Sequence, residues 1–286
     1  MTLIDREQKI ENKSQIKNKR QRTHCLTLFF ELLGIVFCLG FVVWCLLFSA
    51  RAFAMTGQEL AQKVYDRDDG DDAFFRTEMV LIDKNGRERR RLLETCVRDD
   101  GNRIRSYLEF LEPKDIEGTR FLSWENEGAD DTQYLYLPEL GRARRIVSSQ
   151  KRLQFVNTDF TYEDMQRRRP EEDGHLITGE TLYLDRPAYI LESTARPGTS
   201  QYARRVSLVD AEALVPVSVD YFDAKDRMIK TFRVLDLKKA GGIWTGMLVE
   251  MHDLKADHRT RMRILEVRYN TGIPQQVFEL RNLEHE

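Results

Sequence analysis

Between Phe75 and Tyr269 apolar and polar residues alternate with a period of two in run after run, each run bounded by a turn signal. That is the pattern of half-buried β-strands. Phe75–Asp83 and Glu88–Arg98 flank Lys84-Asn85-Gly86, an Asn-Gly hairpin signal, and Asp100-Gly101 turns the chain again into Arg103–Leu111. Further strand runs are predicted at Arg120–Trp124, Tyr134–Leu137, Leu176–Leu184, Ala188–Thr194, Arg204–Val209, Val215–Phe222, Met228–Leu237, Ile243–Leu254 and Arg259–Tyr269. No helical stretch of roughly 10–15 residues alternates with them, so the order is that of an antiparallel meander rather than of βαβ units. In the last run Arg259, Arg261 and Arg263 share one face while Met262 and Ile264 share the other, so one face is wet and one is covered. A single sheet of about a dozen strands cannot stay flat and coils into an open or closed barrel.

Helical spacing is confined to short pieces. Thr56-Gly57-Gln58-Glu59 is a capping-box pattern, followed at helical spacing by Leu60, Ala61, Val64 and Tyr65, which predicts a helix over 56–68. A second short helix is predicted around Phe160–Gln166, and both pieces are placed to cover the concave side of the sheet. The fold class is therefore mainly β (α+β): one large antiparallel sheet coiled into an open or closed barrel with a few short helices. Turn signals recur steadily on both sides of the charged loop Arg167–Gly174, so residues 55–286 read as one domain.

The first 54 residues follow a different pattern. Leu32 to Ala50 are consecutive uncharged residues, and as a helix at about 1.5 Å per residue they would reach roughly 28 Å, just enough to span a membrane. Basic residues precede this run, and Ala52-Phe53-Ala54, a small-x-small pattern that signal peptidase accepts, follows it. Residues 1–54 are thus a signal peptide or a signal anchor, with the body outside the cytoplasm. The helix start at Met55-Thr56 favours cleavage after Ala54, and the long basic region before the apolar run favours retention. Neither Cys38 nor Cys45 has the small residue directly before it that a lipoprotein signal requires.

Composition narrows the classes further. The 286 residues are 41% hydrophobic and 32% charged, with a formal net charge of -2, which excludes a disordered chain, a disulfide scaffold and a polytopic membrane protein. The charge also argues against nucleic acid as a partner, since counterion release needs a basic surface. Three of the four cysteines lie in the leader, so the body keeps only Cys96, in an apolar alternation that reads as a buried strand position.

The chain offers no catalytic constellation. There is no G-x-S-x-G, P-loop or G-x-G-x-x-G motif, and Gly241-Gly242 reads as a turn. His252 and His258 bracket Asp253 and Asp257, but their spacing matches no usual zinc pattern and the segment reads as a hairpin tip. Asp99-Asp100 and Asp130-Asp131 sit in turn contexts. Arg142, Arg144 and Arg145 form a basic cluster at a strand start, read either as a solvated sheet edge or as an anion site. The run Arg87–Leu92 reads as a wet strand face. We expect no enzyme, no metal and no cofactor.

Several segments together resemble one family: EPKDIEGTRFLSWE (112–125), QYLYLPELGRARRI (133–146), NTDFTYEDM (157–165), SVDYFDAKDRMIKTFRV (218–234), GGIWTGMLVEMHDL (241–254) and RYNTGIPQQVFELRNLE (268–284). Their most specific parts are the D-F-x-Y-E-D run (Asp159, Phe160, Tyr162, Glu163, Asp164), the YLP…RR run (Tyr136, Leu137, Pro138, Arg144, Arg145) and the closing YNTGIP…F (Tyr269 to Pro274, Phe278). These segments are similar to the outer-membrane lipoprotein-sorting, LolA-like periplasmic proteins, in the branch found with RND/MMPL-type exporters. The resemblance implies a half-open antiparallel barrel whose concave apolar face holds lipid or lipoprotein acyl chains. It further implies a monomeric, non-enzymatic periplasmic carrier working beside an RND/MMPL-type inner-membrane transporter in lipoprotein sorting or lipid export. The alternative is an inner-membrane-anchored periplasmic adaptor or stress-sensing module on the same fold.

On that reading the bulky residues of the alternating runs, Phe110, Leu122, Trp124, Tyr134 and Tyr136, are candidates to line the cavity. Phe160 and Tyr162 are candidates for a lid, with Asp159 capping a short helix and Glu163 and Asp164 following in its first turns.

Overall fold

The computed structural model describes residues 55–101, 103–126 and 128–284. The leader, with its signal or anchor, lies outside the described residues. The body opens with helix α1 (Gly57–Tyr65), started by a capping box in which the Thr56 hydroxyl accepts from the Glu59 N–H and the Glu59 carboxylate accepts from the Thr56 N–H. Gly57, Leu60 and Ala61 are its buried residues. At its first turn Gly57 lies against the backbone of strand residues His175 and Leu176. A Cβ at position 57 would come within 2.5 Å of His175, so only glycine lets helix and strand approach this closely.

Thirteen strands follow: β1 (Asp72–Ile82), β2 (Glu88–Asp99), β3 (Ile104–Glu112), β4 (Arg120–Trp124), β5 (Thr132–Leu137), β6 (Arg142–Ile146), β7 (Asp173–Tyr183), β8 (Arg186–Ala195), β9 (Arg204–Asp210), β10 (Pro216–Phe222), β11 (Met228–Ala240), β12 (Ile243–Asp253) and β13 (His258–Tyr269). All pair antiparallel in one sheet of order β6-β5-β4-β3-β2-β1-β13-β12-β11-β10-β9-β8-β7. The sheet is two meanders. The first runs from β1 out to the edge strand β6, a connection over 147–172 takes the chain to the other edge at β7, and the second meander returns until β13 closes on β1. The edges β6 and β7 do not pair, so the barrel stays open.

The alternation predicted from sequence sorts the side chains as expected. Thr77, Met79 and Leu81 of β1 stand opposite Leu93, Arg91 and Arg89 of β2 on one face, which we call the inner face. Arg259, Arg261 and Arg263 share the outer face, and Thr260 and Met262 the inner. The alternation breaks once in β13: the register shifts between Arg76 and Thr77, Leu265 is left without a partner on β1 and is 54% exposed. This is a bulge.

The two faces are covered by different means. α1 packs on the inner face at β7–β9, against Ile177, Tyr189, Leu191 and Val209. The 147–172 connection covers the inner face of the first meander, where Phe155 and Tyr162 join Met79, Leu93, Leu108, Phe110 and Phe121. The outer face of the same strands carries the C-terminal segment, including helix α2 (Leu280–Glu284): Ile273, Phe278 and Leu283 pack with Leu122, and Trp124 Nε1 donates to the Phe278 carbonyl at 2.8 Å. The turn into this segment is pinned by Asp72. Burial acts against its charge, but its carboxylate accepts from the N–H groups of Thr271, Gly272 and Ile273, and these hold its pKa below the ordinary range. The closing YNTGIP…F run is thus the clamp of an outer layer.

Some sequence expectations are corrected. Phe160–Gln166 is not a helix; it is a run of turns beginning at an isolated bridge between Gln154 and Thr161. Two carboxylates four and five positions along from Asp159 imitate a helix start, but buried tertiary partners take up the local polar groups instead. The second helix of the body is α2, on the outer face rather than the concave side. The run Arg87–Leu92 is not uniformly wet, since Arg91 is 8% exposed, points inward, lies over the Phe110 ring and donates to the Val156 carbonyl at 2.7 Å. The basic cluster belongs to a full strand, β6, which is a sheet edge.

Candidate functional site: two cavities under one connection

The inner face holds an apolar cavity of about 340 Å³ beneath the 147–172 connection. Its floor is built from inward positions of adjacent strands: Thr95 and Val97 of β2, Ser106 and Leu108 of β3, Phe121 and Ser123 of β4. Ser106 faces Ser123 across the β3/β4 pair, and Thr95 faces Leu108. The space exists because three of these floor side chains are too short to fill it. The roof is Phe155, Phe160, Met165, Gln166 and Arg167.

Buried polar bonds hold the roof. Asp159, 2% exposed, accepts from the Thr260 hydroxyl at 2.7 Å and faces His258 Nδ1 at 2.8 Å, so it is anchored to β13 and caps no helix. The local cap is formed by Thr161 and Asp164: the Thr161 N–H donates to Asp164 at 2.7 Å and the Asp164 N–H to the Thr161 hydroxyl. Asp164 also pairs with Lys230 of β11 at 2.7 Å, both side chains being nearly dry, and Tyr202 bonds to both. Glu163 accepts from Ser200 Oγ and from the Gln201 N–H, and stands 3.4 Å from Arg205. Gln133 donates to the Tyr162 carbonyl at 3.0 Å. Each acid of the D-F-x-Y-E-D run thus joins the roof to a different part of the second meander.

Beyond Asp164 and Arg167 the inner face changes character. A second cavity of about 480 Å³ lies against β7–β10 and α1, lined by Arg168, Asp173, Arg205, Glu163, Tyr202 and Tyr221 among others. Its charges are paired: Arg168 and Arg205 both meet Asp173, at 2.6 and 3.2 Å. Where the cavities meet, the Tyr65 hydroxyl bonds to Glu125, the Arg167 guanidinium stacks on the Tyr65 ring at 3.7 Å, and Arg167 donates to the Tyr65 carbonyl at 2.7 Å. Asp131 lines both cavities; burial, with the like charge of Glu125 adding to it, pushes its pKa up to about 6.

Of the side chains proposed to line a cavity, Phe160 does so. Phe110 and Tyr162 are buried in the inner core, in the packing that frames the cavity. Leu122, Trp124, Tyr134 and Tyr136 point to the outer face, under the C-terminal segment. The bulkiest residues fill space, and the cavity lies where inward positions are small; the signal in the sequence was Thr95, Ser106 and Ser123 in the inward register. Arg144 and Arg145 fall on opposite faces of β6 and touch neither cavity. His252 bonds Asp257 at 3.1 Å, and among the described residues no three His, Cys, Asp or Glu side chains are grouped as a metal would require. Burial raises the Cys96 pKa to about 11, that of an inert thiol.

An open antiparallel sheet wrapped on a connection and a helix, with an apolar cavity between, defines the class: a LolA-like half-barrel. A family model of the description "uncharacterized protein" matches residues 102–285, and the chain belongs to that family. Among solved structures, a DUF1329 family protein from Desulfovibrio piger superposes with a TM-score of 0.76 at 29% identity, covering 79% of this chain and 97% of that one. A candidate outer membrane lipoprotein-sorting domain from Vibrio parahaemolyticus gives a TM-score of 0.75 at 26% identity over 80% of this chain and 98% of its own. A LolA superfamily protein from Nitrosomonas europaea shares the fold, with a TM-score of 0.61 at 16% identity over 79% and 98%. No curated protein matches in sequence.

Proposed function

We propose that the body is a non-enzymatic carrier that shelters an acyl chain of a lipid or lipoprotein in the cavity between the β2–β4 floor and the roof at Phe155–Arg167. The observation that carries this reading is an apolar space of about 340 Å³ under a roof held by polar bonds to the sheet on both sides, within the size range of small-molecule sites. Each methylene moved there from water gains about 0.8 kcal/mol, enough for a chain of modest length to bind without a polar anchor. The likeness to a candidate outer membrane lipoprotein-sorting domain supports the same class of cargo. In this reading residues 1–54 export the body to the periplasm, as a cleaved signal or as an inner-membrane anchor, and an RND/MMPL-type transporter is the membrane partner.

The test fills the cavity. Ser106→Phe places a ring over the floor at a position facing Ser123. Binding of a fluorescent fatty acid should fall at least tenfold, the loss of about two buried methylenes, while the unfolding midpoint stays close to that of the unaltered protein. Unchanged binding in the folded variant would refute the assignment of this cavity. Native mass spectrometry of protein purified from its host checks the cargo, and a phosphatase fusion after Arg67 checks the compartment.

A further inference from the structure

The edge strand β6 gathers unpaired cations on a short stretch of chain. Several exposed arginines elsewhere are paired, Arg87 with Asp83, Arg227 with Asp223 and Arg281 with Glu279, and those that are not, Arg89, Arg196 and Arg263, stand far apart in sequence. Arg142, Arg144 and Arg145 are all exposed, and among the described residues none of them forms an ion pair within 4.0 Å. The segment from Pro138 to Leu153 holds five cations and one acid, Glu139, in a chain of net charge -2. The same segment carries Leu140, Val147 and Leu153, exposed by 45, 50 and 55%. Cations and bare aliphatic side chains together are the composition of a surface that meets anionic headgroups and the boundary of the acyl layer.

A partner strand is a poorer fit to this edge. The Ala143 N–H is already taken by the Glu284 carboxylate at 2.8 Å, so the helix α2 blunts the hydrogen-bonding rim that strand addition would use. The side chains remain free. The edge also runs straight into the roof: Ser148, Lys151 and Arg152 line the polar cavity and Phe155 the apolar one. A body docked by this edge lies with the start of its roof against the bilayer.

We propose that β6 and its flanking turns, Leu140 to Leu153, form a docking surface for a membrane containing anionic phospholipid. Three arginines at about 1 kcal/mol each bias docking about a hundredfold at low salt. The inference does not depend on which cargo the cavity takes.

Hydrogen exchange of the full chain is measured with vesicles of phosphatidylcholine alone and with vesicles that also contain phosphatidylglycerol. The leader meets both kinds of vesicle, so the readout is local: exchange over 140–153 should slow at least ~10-fold with the anionic vesicles only, and the effect should fade in salt near 1 M, where the Debye length is ~3 Å. The variant R142Q/R144Q/R145Q should lose this protection while keeping its unfolding midpoint and its fatty-acid binding. L140S/L153S should weaken it without altering the salt dependence. Equal exchange with both vesicles, or protection that survives in the triple variant, would overturn the proposal. So would protection of this edge by a protein partner but not by anionic vesicles.

Discussion

The inner face of one sheet presents two unlike halves. Over β2–β4 the inward positions mix large apolar with small side chains and leave an apolar space. Over β7–β11 the inward positions include Asp173, His175, Arg205 and Lys230, whose polar groups pair with neighbouring strands and with the 147–172 connection. The difference shows how a roof can be held firmly without filling the cavity below it. Its buried charge pairs lie over the second meander and cannot be broken cheaply, while over the first meander it is held by bonds from Gln133 and Arg91 to its carbonyls and by the packing of Phe155 and Tyr162.

The strongest way to break this contrast is Lys230→Met, which leaves the Asp164 carboxylate buried without its counter-charge. We expect a loss of about 3–5 kcal/mol, read as a lowered urea midpoint. The double variant D164N/K230M should recover much of it, because the uncompensated charge is gone; simply additive losses would show that the pair does not act as a bolt. Next in size is Phe160→Ala in the apolar half. Phe160 is half-buried, so truncation should cost about 1–2 kcal/mol, less than for a fully buried ring. It should also speed uptake and release of a fluorescent fatty acid in protein that is still folded. Unaltered rates would leave Phe160 a packing residue only.

The smallest expected effect is at the boundary of the two halves. Asp131 binds its proton more tightly in the folded protein, at about 6, than in the unfolded chain near 3.8. Between those values the folded state holds more protons, so the penalty for charging Asp131 grows as pH rises through this window and is complete above it. Asp131→Asn should therefore stabilise the protein by about 1 kcal/mol at pH 7, solvent screening of this partly exposed group discounting the shift, and have little effect near pH 4, as two thermal unfolding series would show. Stabilisation of equal size at both pH values would assign the effect to something other than the charge.

Twelve of the thirteen strands, the antiparallel order, the first helix with its capping box and the sorting of β13 into a wet and a covered face were legible in the sequence, and only β6 was not read as a strand. Each rests on neighbours close along the chain: a period of two, an Asn-Gly turn, a Thr and a Glu three residues apart. The D-F-x-Y-E-D run stood out by its resemblance, but its role did not, because Asp159, Glu163 and Asp164 find their partners at Thr260, Ser200 and Lys230. No local rule joins positions so distant, and carboxylates spaced like a helix start were read as one. The same limit governs the cavity. Alternation told which side chains share a face, but which face faces the roof, and which the C-terminal clamp, was decided by how 147–172 and 270–284 cross the sheet. Leu122, Trp124, Tyr134 and Tyr136 are as apolar as cavity residues and lie under Phe278 instead. The sequence by itself determined the strands and their alternation, since these follow from the chemistry of adjacent residues. Only the tertiary structure decided where space was left unfilled, since a void is a property of side chains that meet from remote parts of the chain.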